Sequence, residues 1–124
     1  MSFSFEKLVV YQKSIDFADK VNQLTLKFPR GFYYLTDQLN RASLSISANI
    51  AEGNGRFTGP DRRHFFGISR GSVQECVPLL ELAKRRNLLT PDQHETLKND
   101  LEEIAKMLSG LIKGVDNKKA SIKS

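Results

Sequence analysis

A single cysteine, Cys76, leaves the chain unable to close an internal disulfide. It falls on an apolar helical stretch and reads as a reduced core residue of a cytoplasmic protein. Tryptophan is absent, and four prolines and eight glycines in 124 residues are too few for a flexible linker that would divide the chain. No apolar run approaches the roughly 20 residues that span a bilayer. The opening Met-Ser-Phe-Ser-Phe-Glu-Lys lacks the apolar core and cleavage site of a signal peptide. β-branched and aromatic residues nowhere alternate over a useful length, so no strand is expected. Two histidines and one thiol are a thin inventory for catalysis. Asp61-x-x-His64 resembles half of a metal-binding helix, but di-metal bundles need two such pairs plus inward carboxylates. His94 has Pro91, not a carboxylate, three residues before it. The expectation is a chain with no metal, no cofactor and no catalytic residues.

Four helical periods fill the sequence instead. The first covers about residues 5–27, with Ser4 as candidate N-cap and Leu8, Tyr11, Ile15, Ala18, Val21, Thr25 and Phe28 as its apolar edge; Phe17 and Leu24 widen it. Phe28-Pro29-Arg30-Gly31 stops it. The second covers about 32–52 and ends at Gly53, suited to a left-handed C-cap. The third covers about 60–86, with Pro60 in its first turn and an inner face of Phe65, Ile68, Ser72, Val73, Cys76, Leu79, Leu80 and Ala83. Pro78 removes the bond to the Gln74 carbonyl, so a kink is expected there. The fourth covers about 91–115, opened by Thr90-Pro91-Asp92-Gln93 as a capping box and carried by Leu97, Leu101, Ile104, Leu108, Leu111 and Val115. Residues 118–124 lack an apolar period and read as a disordered basic tail. Short connections favour a single all-α domain over 1–117, an antiparallel up-down-up-down four-helix bundle.

The net charge is +5, unevenly spread. Residues 54–90 carry seven Lys/Arg against three Asp/Glu, and residues 113–124 carry four against one. Arg56, Arg62, Arg63 and Arg70, with Phe57 and His64 among them, form the best nucleic-acid candidate; Lys84, Arg85 and Arg86 make a second cluster at the far end of the third helix. Guanidinium groups suit phosphates and an aromatic ring stacks on an unpaired base. A solvated helix face is the competing reading. Gly53-Asn54-Gly55-Arg56 follows a helix and lacks Gly-Lys-Ser/Thr, so it reads as helix-end chemistry and not as a phosphate loop.

Residues 38–56 are rich in small polar side chains: Ser43, Ser45, Ser47, Ala48, Asn49 and Ala51 lie between Leu39, Ala42, Ile46 and Ile50. Such a surface lets another helix come close, provided the hydroxyl and amide groups find partners. Arg41, Ser45, Asn49 and Glu52 share one edge, and Ser72 and Glu75 share another on the third helix. The expected network pairs Arg41 with Glu75 and Asn49 with Ser72; a ligand-binding cleft is the alternative.

These residues resemble the four-helix-bundle family of proteins encoded by intervening sequences of bacterial 23S ribosomal RNA. The resemblance rests on Gln38-x-x-Arg41-Ala42-x-x-Ser45-Ile46-x-x-Asn49-Ile50-Ala51-Glu52-Gly53-x-Gly55-Arg56 and on Gly71-Ser72-x-x-Glu75, and it runs from Phe5 to Ile112. It implies a ring-shaped homopentamer, and a similarity to accessory proteins of diversity-generating retroelements, which associate with a reverse transcriptase and its RNA. The function expected is a non-enzymatic oligomer that binds nucleic acid, structured RNA foremost, through pooled basic surface. The alternative is a protein-interaction scaffold, such as a reverse-transcriptase accessory subunit.

Overall fold

The computed structural model describes residues 3–123, the side chains of 119–123 excepted. Four α-helices follow one another: α1 Val9–Thr25, α2 Tyr33–Asn54, α3 Gly59–Arg85 and α4 Pro91–Lys123. Single 3-10 turns, Ser4–Lys7 and Arg30–Phe32, precede α1 and α2. No strand occurs among the described residues.

Cross-helix contacts fix the antiparallel order. Between α1 and α2, Asn40 Nδ2 donates to Thr25 Oγ1 (2.9 Å). Between α2 and α3, Ser69 Oγ donates to the Ile46 carbonyl (2.7 Å). Arg63 meets Asp116 and Arg70 meets Ser109 between α3 and α4, so ascending numbers on one helix face descending numbers on the other. Lys13–Glu103 and Lys20–Asp100, both 2.9 Å, do the same between α1 and α4. The carboxylate hydrogen-bonded to Lys13 raises that ammonium's pKa above its ordinary value.

The core runs through all four helices, from Phe17 and Val21 across Leu39, Ile46 and Cys76 to Leu101 and Leu108, all nearly inaccessible. Small residues bring the helices together without stranding polar atoms. Ser14, Ser43 and Ser47 are buried, and each hydroxyl donates to the carbonyl three residues back. Among the described residues no buried side-chain polar atom lacks a partner. This full satisfaction lets serines occupy an interior at little cost.

Several local expectations are corrected. Ser4 does not cap α1; it lies in the 3-10 turn and its hydroxyl accepts from Asn54 Nδ2 (2.8 Å). Helix α1 begins only at Val9, and its buried edge is Val10, Ser14, Phe17, Val21 and Thr25, leaving Ile15 exposed. On α3 the inward phenylalanine is Phe66, followed by Ser69; Phe65 is half-buried and Ile68 exposed. Gly53 is no left-handed cap: α2 continues to Asn54 and no described glycine has positive φ. Its role is contact, because a Cβ there would lie 2.7 Å from two atoms of the Phe66 ring. Helix α3 continues through Pro78 as one element, which is compatible with the expected kink. The Thr90–Gln93 capping box forms as expected, with Thr90 N–H donating to Gln93 Oε1 (2.9 Å) and Gln93 N–H to Thr90 Oγ1 (3.1 Å). Helix α4 then runs through Lys123 instead of stopping near Val115. Of the expected tail, Ser124 and the side chains of 119–123 lie outside the described residues.

Candidate nucleic-acid interface

The α2–α3 connection is built at close quarters. Thr58 caps α3, its hydroxyl accepting from the Asp61 N–H (3.3 Å), with Pro60 in the first turn. Arg62 reaches back across the corner and donates through Nη1 to the Asn54 carbonyl (3.1 Å). A cation at the carbonyl end of α2 meets the negative end of the helix dipole. Arg62 is half-buried, with its guanidinium 5.8 Å from the Phe66 ring centroid, so it holds the corner together.

The neighbouring arginines face outward. Arg56 pairs with Glu52 (2.9 Å) and lies 4.4 Å over the Phe65 ring. His64 sets its edge against the same ring. Phe57, between these cations, is entirely exposed, as unusual for a phenylalanine as it is suited to stacking. Arg63 and Arg70 lie on the other flank of α3. Arg63 Nε meets Asp116 Oδ1 at 2.9 Å, and Arg70 Nε donates to Ser109 Oγ at 2.9 Å. They wall a shallow groove of about 440 Å³ between α3 and α4, which also meets Lys113. Gly67 and Gly71 bare its α3 wall, since a Cβ on either would touch nothing within 4 Å. Gly67 and Lys113 were not among the expected site residues, and Gly71 entered only as part of the family motif. The available signal was the four-residue glycine spacing on the helix that carries Arg63 and Arg70.

Lys84, Arg85 and Arg86 sit at the opposite end of α3, with Lys84 about 20 Å along the axis from Arg70 and about 30 Å from Arg63. Lys84 and Arg85 share Glu81, at 3.9 and 3.4 Å. The two basic clusters do not merge on one protomer.

The expected polar network forms only at its centre. Ser45 and Ser72 hydroxyls meet at 2.8 Å, and Asn49 Nδ2 donates to Ser45 Oγ (3.0 Å) and to the Ser45 carbonyl (2.8 Å). Asn49 therefore reaches Ser72 through Ser45, not directly. Arg41 does not meet Glu75; it pairs with Asp37 one turn back (3.0 Å) and its side chain is 72% exposed. Glu52 belongs to Arg56, and Glu75 is exposed. A surface ion pair one turn away is easier to form than one across a seam filled by Ser45 and Ser72.

The remaining reactive groups lie apart. His64 is exposed, His94 is buried in the first turn of α4, and among the described residues no three His, Cys, Asp or Glu side chains converge. Cys76 is buried, and desolvation, with the Glu75 carboxylate adding, pushes its thiol pKa up to about 12. Such a thiol is protonated and a poor nucleophile at neutral pH.

An antiparallel four-helix bundle with a serine-lined α2–α3 seam and an arginine-flanked α3–α4 groove defines the class of protein. The chain belongs to the family of 23S rRNA-intervening sequence proteins, whose sequence profile it matches over residues 6–110. Among solved structures it is similar to a protein of unknown function from the S23 ribosomal protein family of Bacteroides thetaiotaomicron. That chain shares 32% identity and a TM-score of 0.79, with 85% of this chain and 99% of the other covered. No curated protein matches. Among the described residues no helix is long and apolar enough to cross a membrane.

Proposed function

We propose that the protein is a non-enzymatic, homo-oligomeric RNA-binding bundle whose phosphate contacts come from Arg56, Arg63 and Arg70, with Lys113 beside them. The observation that carries this reading is the α3–α4 groove. Two guanidinium groups stand along a bared stretch of helix, and one of them, Arg70, is held by a neutral hydroxyl, so its charge is not neutralised there. The ion pairs of Arg56 and Arg63 are half-exposed, and pairs of this kind contribute about 0–1 kcal/mol, little enough to be exchanged for phosphate. Phe57 supplies a stacking surface at the same end. The family is named for intervening sequences of 23S rRNA, and that RNA context is the support for structured RNA over other polyanions.

One protomer offers few contacts, and assembly multiplies them. At +5 per chain, a homopentamer of the kind the resemblance implies carries about +25, a strong field for a polyanion. Arg62 acts here as the brace of the corner, and Lys84, Arg85 and Arg86 join the surface only where neighbouring protomers bring their far ends alongside. Binding of a structured RNA should weaken steeply with salt, and Arg63→Ala with Arg70→Ala should flatten that dependence by about one unit of logarithmic slope each. Salt-insensitive or absent binding removes the reading.

The second reading, an interaction scaffold such as a reverse-transcriptase accessory subunit, draws support from a separate apolar groove on the α1–α4 side.

A further inference from the structure

Helix α4 outruns its neighbour. Lys13 faces Glu103 and Lys20 faces Asp100, so α1 starts about level with Ser109. Helix α3 accompanies α4 further, since Arg63 faces Asp116. The residues before α1 do not fill the difference: the Ser4–Lys7 turn leans toward α2, where Asn54 holds Ser4. From Gly110 to Lys118, about 12 Å of helix, α4 therefore has α3 on one flank and no helix on the other.

The vacancy is an open groove of about 920 Å³. Its walls are apolar, with Leu8 and Val10 on one side and Met107, Leu111 and Val115 on the other. Among the described residues Arg62 and Lys118 are the charged ones that line it, and no carboxylate does. A Cβ on Gly110 or Gly114 would touch nothing within 4 Å, so internal packing does not require either glycine, and together they leave one face of α4 bare for a close approach.

We infer that this groove receives an amphipathic helix of another protein, with acidic residues flanking its apolar face, lying along α4 where α1 would have continued. The site is a missing helix position in a bundle, and a helix laid in a groove presents apolar anchors three or four residues apart. Arg62 and Lys118 supply the charge complement. On a second copy the stripe of this kind among the described residues is the same α4 face, which brings Lys118 and Arg62 with it and no described carboxylate, so pairing two such faces sets cation against cation. Elsewhere the exposed apolar residues are scattered: Val9 and Ile15 on α1 with Leu26 just past its end, Leu44 on α2 far from Tyr33 and Tyr34, and Ile68 and Val77 nine apart on α3. Phe57 lines this groove as well and is shared with the nucleic-acid reading, whose phosphate contacts Arg56, Arg63, Arg70 and Lys113 lie outside it.

The test uses the full chain and a synthetic helical peptide of three to four turns, leucines on one face and glutamates on both flanks, beside a version with lysines for glutamates. Fluorescence anisotropy should show the glutamate peptide binding at least tenfold more tightly than the lysine peptide. Gly110→Leu with Gly114→Leu should weaken it at least tenfold while leaving salt-dependent RNA affinity unchanged. Amide shifts on adding the peptide to the unaltered protein should centre on Gly110, Leu111 and Gly114, a readout that does not depend on how the variant folds. No binding, equal binding of the lysine peptide, or shifts centred elsewhere overturns the inference. So does loss of the protein's own oligomer in the leucine variant, which assigns the groove to a second copy, or displacement of the peptide by decanoate or by RNA.

Discussion

Gly53 and Gly110 are both helical glycines, yet a methyl group added to them meets opposite fates. At Gly53 the new carbon falls 2.7 Å from two atoms of the buried Phe66 ring, which has nowhere to retreat. Gly53→Ala should lower stability by about 1–3 kcal/mol, the usual range for overpacking. At Gly110 the carbon enters open space, and Gly110→Ala should raise stability by up to about 1 kcal/mol through helix propensity alone. Thermal denaturation of the two variants side by side checks both signs. The sequence marks Gly53 as special but cannot say why: a glycine after an apolar period suits a helix cap as well as a close contact. Only the placement of Phe66 decides. Arg41 carries a similar lesson. Its spacing from Asn49 and Glu52 suggests a buried network, whereas it lies exposed against Asp37. Arg41→Ala should therefore change stability by no more than about 0.5 kcal/mol, measurable by urea unfolding.

At the scale of the element, what was legible tracks how strictly local signals agree. Helix α4 was readable because a capping box, a proline at its first position and an unbroken leucine stripe all point one way. The start of α1 was not. With Ser4 as a cap, the helix looks as if it begins at about residue 5, but Phe3 stacks on Phe5 (5.6 Å) and Phe5 sets its ring against Tyr11 (4.9 Å). That cluster holds the turn before the helix. On α3 the pair Phe65-Phe66 defeated the face assignment, since adjacent residues differ by about 100° around a helix and either phenylalanine fits the period. Pro78 presents the clearest test. Its ring occupies an exposed position inside a continuous helix and deprives it of one backbone bond. Pro78→Ala should stabilise the protein, by about 1–3 kcal/mol, with helical content by circular dichroism unchanged or slightly higher.

For the molecule as a whole, the asymmetry between its flanks matters most. The α2–α3 seam is closed by hydroxyls that satisfy one another, the α3–α4 groove is lined with arginine, and the α1–α4 flank opens into an apolar trough. Charge counting along the sequence located the arginines but could not tell which flank each would occupy. It therefore treated Arg62 as equivalent to Arg63, although one braces a corner and the other faces solvent beside Asp116. The central claim is that the outward arginines engage a polyanionic RNA. The most direct measurement is the equilibrium affinity for a structured RNA across a salt series, for the natural chain and for the Arg63→Ala, Arg70→Ala variant. The account predicts a steep loss of affinity with salt for the natural chain and a slope shallower by about two units for the variant. Parallel lines of equal slope, or no binding at low salt, would contradict it.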